Sequence, residues 1–148
     1  MTESTRPDRR MLGALLRIPF QAIVAQIYAG LQARGYTDLR PAHFVVFQLL
    51  PPEGARLTEL AEAAQMTKQS MGDLVAHLVA KGYVALRPDP TDRRAKQVIL
   101  TARGQKLDAT AREIVNQIEK DWAEQLGNNR MAELKQTLRD VIALISLT

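Results

Sequence analysis

The apolar residues between Leu57 and Leu100 change their spacing twice, and few folds accommodate such a change. Leu57, Leu60, Ala61 and Ala64 follow the i, i+3, i+4, i+7 spacing of one helix face, with Thr58 placed to cap it. After Gln65 and Met66 the stripe restarts in a new phase, so Thr67 is expected as an N-cap and Met71, Leu74, Val75 and Leu78 share one arc until Gly82 stops the helix. From Tyr83 the spacing becomes alternation: in Tyr83 to Arg87 and Lys96 to Leu100, Val84 and Leu86 can face Val98 and Leu100 as in a half-buried antiparallel ribbon. Pro88, Asp89, Pro90, Thr91 and Asp92 supply turn chemistry at its tip.

Two short helices meeting at a tight junction and followed by a ribbon describe a winged helix-turn-helix. The expected fold class is therefore mainly α with a small β-hairpin wing. A chain of 148 residues, 46% hydrophobic, suffices for one domain with a core. Residues 1–8 lack periodicity and are expected to be a mobile tail, leaving 9–148 as a single domain. Within it the helix-turn-helix spans 57–81 and the wing 83–100. Upstream, Met11, Leu12, Leu15 and Leu16 begin a stripe that Pro19 should kink or restart, and Phe20, Ile23, Val24, Ile27, Tyr28 and Leu31 continue it to Gly35. Pro41 opens a helix carrying Phe44, Val45, Phe47, Leu49 and Leu50, closed by Pro51, Pro52 and Gly54. Downstream, Thr101 can cap a long helix bearing Leu107, Ala111, Ile114, Val115, Ile118, Trp122 and Leu126, broken by Gly127, Asn128 and Asn129. A last helix carries Met131, Leu134, Leu138, Val141, Ile142 and Ile145. The terminal helices, 9–34 and 102–147, hold more apolar surface than so small a central unit needs. A second copy of the chain is the simplest cover, since most soluble homo-oligomers are twofold dimers.

Several function classes fall away. With no cysteine, disulfides, thiolate metal sites and thiol redox chemistry are excluded together. The two histidines, His43 and His77, form no recognisable metal motif. There is no nucleophile elbow, phosphate-cradling glycine loop or cluster of histidine with carboxylates, so neither an enzyme nor a resident cofactor is expected. The N-terminal residues lack the apolar core of a signal peptide and no apolar run approaches membrane-spanning length, which makes the cytoplasm the expected location.

The net charge is +4, but its placement is local: from Met66 to Lys106 eight basic residues face three acidic ones. That is the electrostatic footprint of a polyanion partner. On the second helix Gln69, Gly72, Asp73, Ala76, His77 and Ala80 lie away from the apolar arc. The small residues would let the backbone approach a groove floor, while Gln69, Ser70 and His77 can address base edges or phosphates. Lys68 and the free amides behind Thr67 suit a phosphate. Asp73 either accepts from a cytosine amine or pairs with Lys68 or Arg94. On the wing, Arg87, Arg93, Arg94 and Lys96 sit on a loop stiffened by Pro88 and Pro90, suited to the narrow minor groove, and Asp92 is expected to fix an arginine rotamer. The leading function is sequence-specific binding of double-stranded DNA by a homodimer reading an inverted repeat. The alternative is a winged-helix protein-interaction module in which the basic face is incidental.

The run from Leu57 to Gly104 resembles the winged-helix core of the multiple antibiotic resistance regulator (MarR) family. The matching features are the two-helix unit, the G-Y-V at Gly82 to Val84, the D-x-R at Asp92 and Arg94, and the L-T-x-x-G at Leu100 to Gly104. The flanking helices fit the same plan. The resemblance implies a twofold dimer joined by its terminal helices, the second motif helix in the major groove, and Arg94 in the minor groove. It also implies transcriptional repression, relieved in many members by a small aromatic or phenolic effector held between the DNA-binding lobe and the dimer helices. Here that pocket would draw on Phe20, Val24, Tyr28, His43, Phe44 and Phe47, with Trp122. The branch that senses oxidants through cysteine is excluded by composition.

Overall fold

The computed structural model describes residues 7–147; most of the expected N-terminal tail lies outside them. Helix α1 (Leu12–Ala33) leads through a 3₁₀ turn (Pro41–His43) into α2 (Phe44–Leu49), then a short strand β1 (Ala55–Arg56). Helices α3 (Leu57–Ala63) and α4 (Lys68–Ala80) follow, then β2 (Val84–Pro88), β3 (Lys96–Leu100), α5 (Ala102–Leu126) and α6 (Asn128–Ser146).

The α3–α4 junction is tight because α3 ends in a left-handed residue. Gln65 adopts φ 53°, its amide donates to Glu62 O at 3.1 Å, and the Met66 amide donates to Ala61 O at 2.9 Å. This pairing satisfies carbonyls that a helix end otherwise leaves open. The expected Thr58 cap is not used. The helix starts two residues earlier, with extended Arg56 in the cap position, because Arg56 is held in β1. Thr67 and Thr101 do cap α4 and α5, accepting from the amides of Ser70 and Gly104 at 3.1 Å each.

The sheet has three strands rather than the expected two, in the order β1-β3-β2, all antiparallel. Val84 pairs with Leu100 and Leu86 with Val98, the register the alternation required. Strand β1 adds Ala55 opposite Val98 and Arg56 opposite Gln97. Two residues are too few to show a period.

Helix α1 runs unbroken through Pro19. The carbonyl that loses its partner there belongs to Leu15, which is exposed, so water can satisfy it and no restart is needed. By length and composition α1 also meets the measure of a membrane-crossing helix, with mean hydropathy 1.4, although the sequence shows no unbroken apolar run of that length. Its C-terminal half is nonetheless packed into the protein, with Ile27 and Leu31 buried. Gly127 alone breaks α5 from α6, for Asn128 and Asn129 are already helical.

One core, including Val46, Leu60, Met71, Leu78, Tyr83, Val98 and Leu107, joins α2, α3, α4 and the sheet to α5. Gly104 is required where α5 leaves the sheet: a Cβ there would collide with the carbonyl oxygen of Tyr83.

Candidate nucleic-acid interface

Helix α4 buries Met71, Val75 and Leu78 and leaves Lys68, Gln69, Ser70, Asp73, Ala76 and Ala80 exposed. At its start Thr67 Oγ1 accepts the Ser70 amide and donates to Ser70 Oγ at 2.9 Å, so the two hydroxyls are partly spent on each other. Asp73 pairs with neither Lys68 nor Arg94; among the described residues it forms no ion pair.

The wing is built around Asp89, which is 7% exposed. Its Oδ2 accepts from Arg56 Nε at 2.8 Å, while Oδ1 accepts from the Thr91 hydroxyl at 2.7 Å and from the amides of Thr91 and Asp92 at 2.8 and 3.2 Å. The Arg56 hydrogen bond, followed by those from Thr91, holds this carboxyl well below the ordinary carboxylate range. An arginine of β1 thus fixes the tip of a ribbon formed much later in the chain. Asp92 accepts from the Arg94 amide at 3.0 Å rather than from a guanidinium, so it shapes the turn instead of fixing an arginine rotamer. Arg87 is occupied within the fold, donating to Gln97 Oε1 and to Glu53 O at 2.9 Å each. Arg93, Arg94 and Lys96 are exposed and enter no ion pair among the described residues.

Helix α4 and the wing are neighbours. They enclose a groove of about 430 Å³ walled by Ala76, Val79 and Ala80 on one side and by Leu86 and Lys96 on the other. Lys96 of the wing therefore lies beside the exposed Ala76 and Ala80 of α4, and Arg93 and Arg94 fall in the loop just before it.

His77 is not on that free face. At about 100° per residue Gln69, Asp73, Ala76 and Ala80 lie opposite the buried arc, while His77 lies at its edge. There its Nε2 is 3.0 Å from Asp38 O and its ring stacks on His43. Beside this stack, the buried Tyr83 hydroxyl donates to Asp38 Oδ1 at 2.7 Å. Arg103, in the first turn of α5, donates to the same hydroxyl at 2.8 Å and to Asp38 Oδ2 at 3.1 Å, with its guanidinium 4.3 Å from the ring centroid. Burial, and then the bond to Asp38, push Tyr83 up to about 12. Burial alone would raise Asp38, but the Tyr83 hydroxyl and Arg103 keep it below the usual value. Sequence reasoning missed this cluster, because its members meet only in the folded chain.

A second cavity, about 500 Å³, opens where α1, α2, α5 and α6 meet. Ile27, Leu31, Phe44, Phe47, Leu107 and Val115 give it apolar walls, with Gln48 and Asn116 among its polar lining. Of the expected pocket residues it takes Phe44 and Phe47. Phe20 is half exposed, too early on α1 to reach it. Val24, Tyr28 and Trp122 pack on the core outside its lining, and His43 turns away to cap the 3₁₀ turn.

A helix pair with a capped, exposed second helix, flanked by a three-stranded wing carrying free arginines, defines the winged helix-turn-helix class. Residues 37–95 match the family model described as MarR family. That stretch takes in the α3–α4 pair and β2, and over it the chain is similar to the MarR family. Transcriptional regulator HosA of Escherichia coli O111:H- is 27% identical over 103 residues, which span 70% of this chain and 76% of that protein. Among solved structures, a crystal structure of MarR superposes with TM-score 0.81 at 19% identity, covering 96% of each chain. The transcriptional repressor CouR, bound to a 23-mer DNA duplex, gives TM-score 0.70 at 24% identity over 89% of this chain and 92% of that one. At these identities the structural matches speak for the fold.

Proposed function

We propose that the protein binds double-stranded DNA sequence-specifically as a homodimer and represses transcription. The observation that carries this reading is that α4 and the wing wall one groove, with Lys96 in its lining and the exposed Arg93 and Arg94 in the loop just before Lys96. Helix α4 enters the major groove, Gln69 reads a base edge, and Lys68, Thr67 and Ser70 engage phosphate at the helix N-terminus. Arg94, with Arg93 and Lys96, serves the minor groove and its flanking phosphates. Arg87 and Asp92 contribute by holding the wing's shape. CouR, a structural neighbour solved on a duplex, supports the mode of binding.

The dimer is supported by apolar surface that the single chain leaves open on α1 and α6, where Leu12, Phe20, Ile142 and Leu144 are each at least half exposed. Two copies of α4 would then read inverted half-sites. The apolar cavity between α1, α2 and α5 supports a small aromatic effector that relieves repression, because it lies where the DNA-binding unit meets the long helices.

Selection of bound fragments from random duplex DNA tests the whole reading. A palindromic consensus, with affinity falling steeply as salt rises, is the expected result. Indifference to DNA would overturn it in favour of a protein-interaction module.

A further inference from the structure

The chain's two histidines lie stacked at the joint between α4 and the connection from α1 to α2. Their ring centroids are 4.3 Å apart and their planes 14° from parallel. His77, near the C-terminus of α4, places Nε2 3.0 Å from Asp38 O. His43 is 4% exposed, and its Nδ1 accepts the Arg40 amide hydrogen at 2.9 Å, capping the 3₁₀ turn.

The two hydrogen bonds answer a proton differently. Donation from His77 Nε2 is open to a neutral ring and a charged one alike. Acceptance at His43 Nδ1 requires a free lone pair, so an imidazolium at His43 turns an N–H toward the N–H of Arg40. We propose that His77 is a positioning residue, holding the C-terminal half of α4 against the α1–α2 connection through its stack on His43. Protonation of His43 releases that hold, so duplex affinity falls between about pH 8 and about pH 5.5. The proposal rests on the reading of α4 as the DNA-contacting helix.

The groups facing the stack offer a proton little counter-charge, only that of Asp38. Asp38 is the carboxylate there, and Tyr83 and Arg103 already occupy its two oxygens. Arg40 precedes the turn, Lys81 follows α4, and Arg103 closes the far side; all three are cations. Burial first, and then His77, hold His43 below the ordinary imidazole range. For a base so depressed, the undocked chain binds the proton more tightly. The docked state is therefore fully favoured above the free imidazole value, about 6.5, and is lost as pH falls below it. This sign runs against the general trend, since added positive charge ordinarily tightens binding to DNA.

The test compares the affinity of a labelled duplex, recovered from a random pool, at about pH 8 and about pH 5.5 at fixed ionic strength, for the wild type and His43→Asn. The asparagine carbonyl can accept from the Arg40 amide but does not titrate in this range. The wild type is expected to lose about tenfold in affinity at the lower pH, and H43N less than about twofold. Amide-exchange protection over Val75 to Lys81, measured without DNA, is expected to fall in the wild type and hold in H43N. A wild-type affinity that is flat or tighter at low pH, or an equal loss in H43N, overturns the proposal. Absence of duplex binding at both pH values would sink the DNA-binding reading instead, and the exchange measurement then decides the proposal alone.

Discussion

At the scale of single residues the wing separates two kinds of charge that look alike in the sequence. Arg56 and Arg87 are held by Asp89, Gln97 and Glu53, whereas Arg93 and Arg94 enter no ion pair among the described residues. Arg94→Ala should therefore weaken duplex binding by about 1–3 kcal/mol while leaving the melting temperature unchanged, as fluorescence anisotropy and calorimetry on one preparation would show. An unaltered affinity would remove the wing from the mechanism. Gln69→Ala should relax preference at one base position per half-site at a cost of about 1–3 kcal/mol if the contact is bidentate; a uniform loss across all sequences would reassign the residue to phosphate. Asp89 is a different case, because its carboxyl is depressed by the bonds it accepts. The stability it lends is present above the ordinary carboxylate range, near about pH 4, and lost as pH falls below it. Asp89→Asn should abolish that part of the acid unfolding profile, and an unchanged profile would show that the wing frays without cost. His77 belongs to neither kind: its position at the edge of the α4 arc made it look solvent-facing, and only the tertiary stack on His43 shows that it is turned toward the α1–α2 connection.

At the scale of elements, what could be read in advance was what neighbours along the chain decide. The Thr67 and Thr101 caps and the Gly35 and Gly82 stops depend on residues a few positions apart, and the wing register on two runs joined by one short turn. What could not be read depends on distant partners or on solvent. Strand β1 exists because Val98 and Gln97 offer it an edge, and α1 crosses Pro19 because the orphaned carbonyl is exposed. Of the expected cavity residues, Phe44 and Phe47 line it while Phe20 does not, a distinction of depth along α1 that periodicity cannot make. The passage from β3 into α5 was recognisable as a motif, but its physical basis is the close approach of Gly104 to the Tyr83 carbonyl, which also accepts the Thr101 amide at 3.1 Å. Gly104→Ala forces backbone to move at the root of the wing. It should cost about 1–3 kcal/mol by denaturant unfolding despite alanine's better helix propensity. A neutral or stabilising result would mean that the root of the wing yields freely.

At the scale of the whole molecule the apolar residues divide into two sets that one chain cannot unite. The set from Ile27 onward is buried around α5, while Leu12, Leu15, Leu16 and Phe20 on α1 and Val141, Ile142 and Leu144 on α6 remain open at the two ends of the chain. Stability of the single chain does not explain them, because their burial awaits something else, and the proposed twin supplies the same surface in return. In the proposed dimer the geometry would matter to function: one α4 would read one half-site, and specificity of the required order would come from two read together. Leu12→Glu with Ile142→Glu places charge on both faces, and since each side chain is 62% exposed or more, the single chain loses no packing. Sedimentation should show the wild type at twice the chain mass and the double variant at the chain mass, with unchanged helix content by circular dichroism. Affinity for a palindromic duplex should fall by at least about a hundredfold, because the second half-site no longer binds at the effective concentration its twin provides. A double variant that remains dimeric would place the interface elsewhere, and a monomer that still binds the palindrome as tightly would remove the twofold axis from recognition.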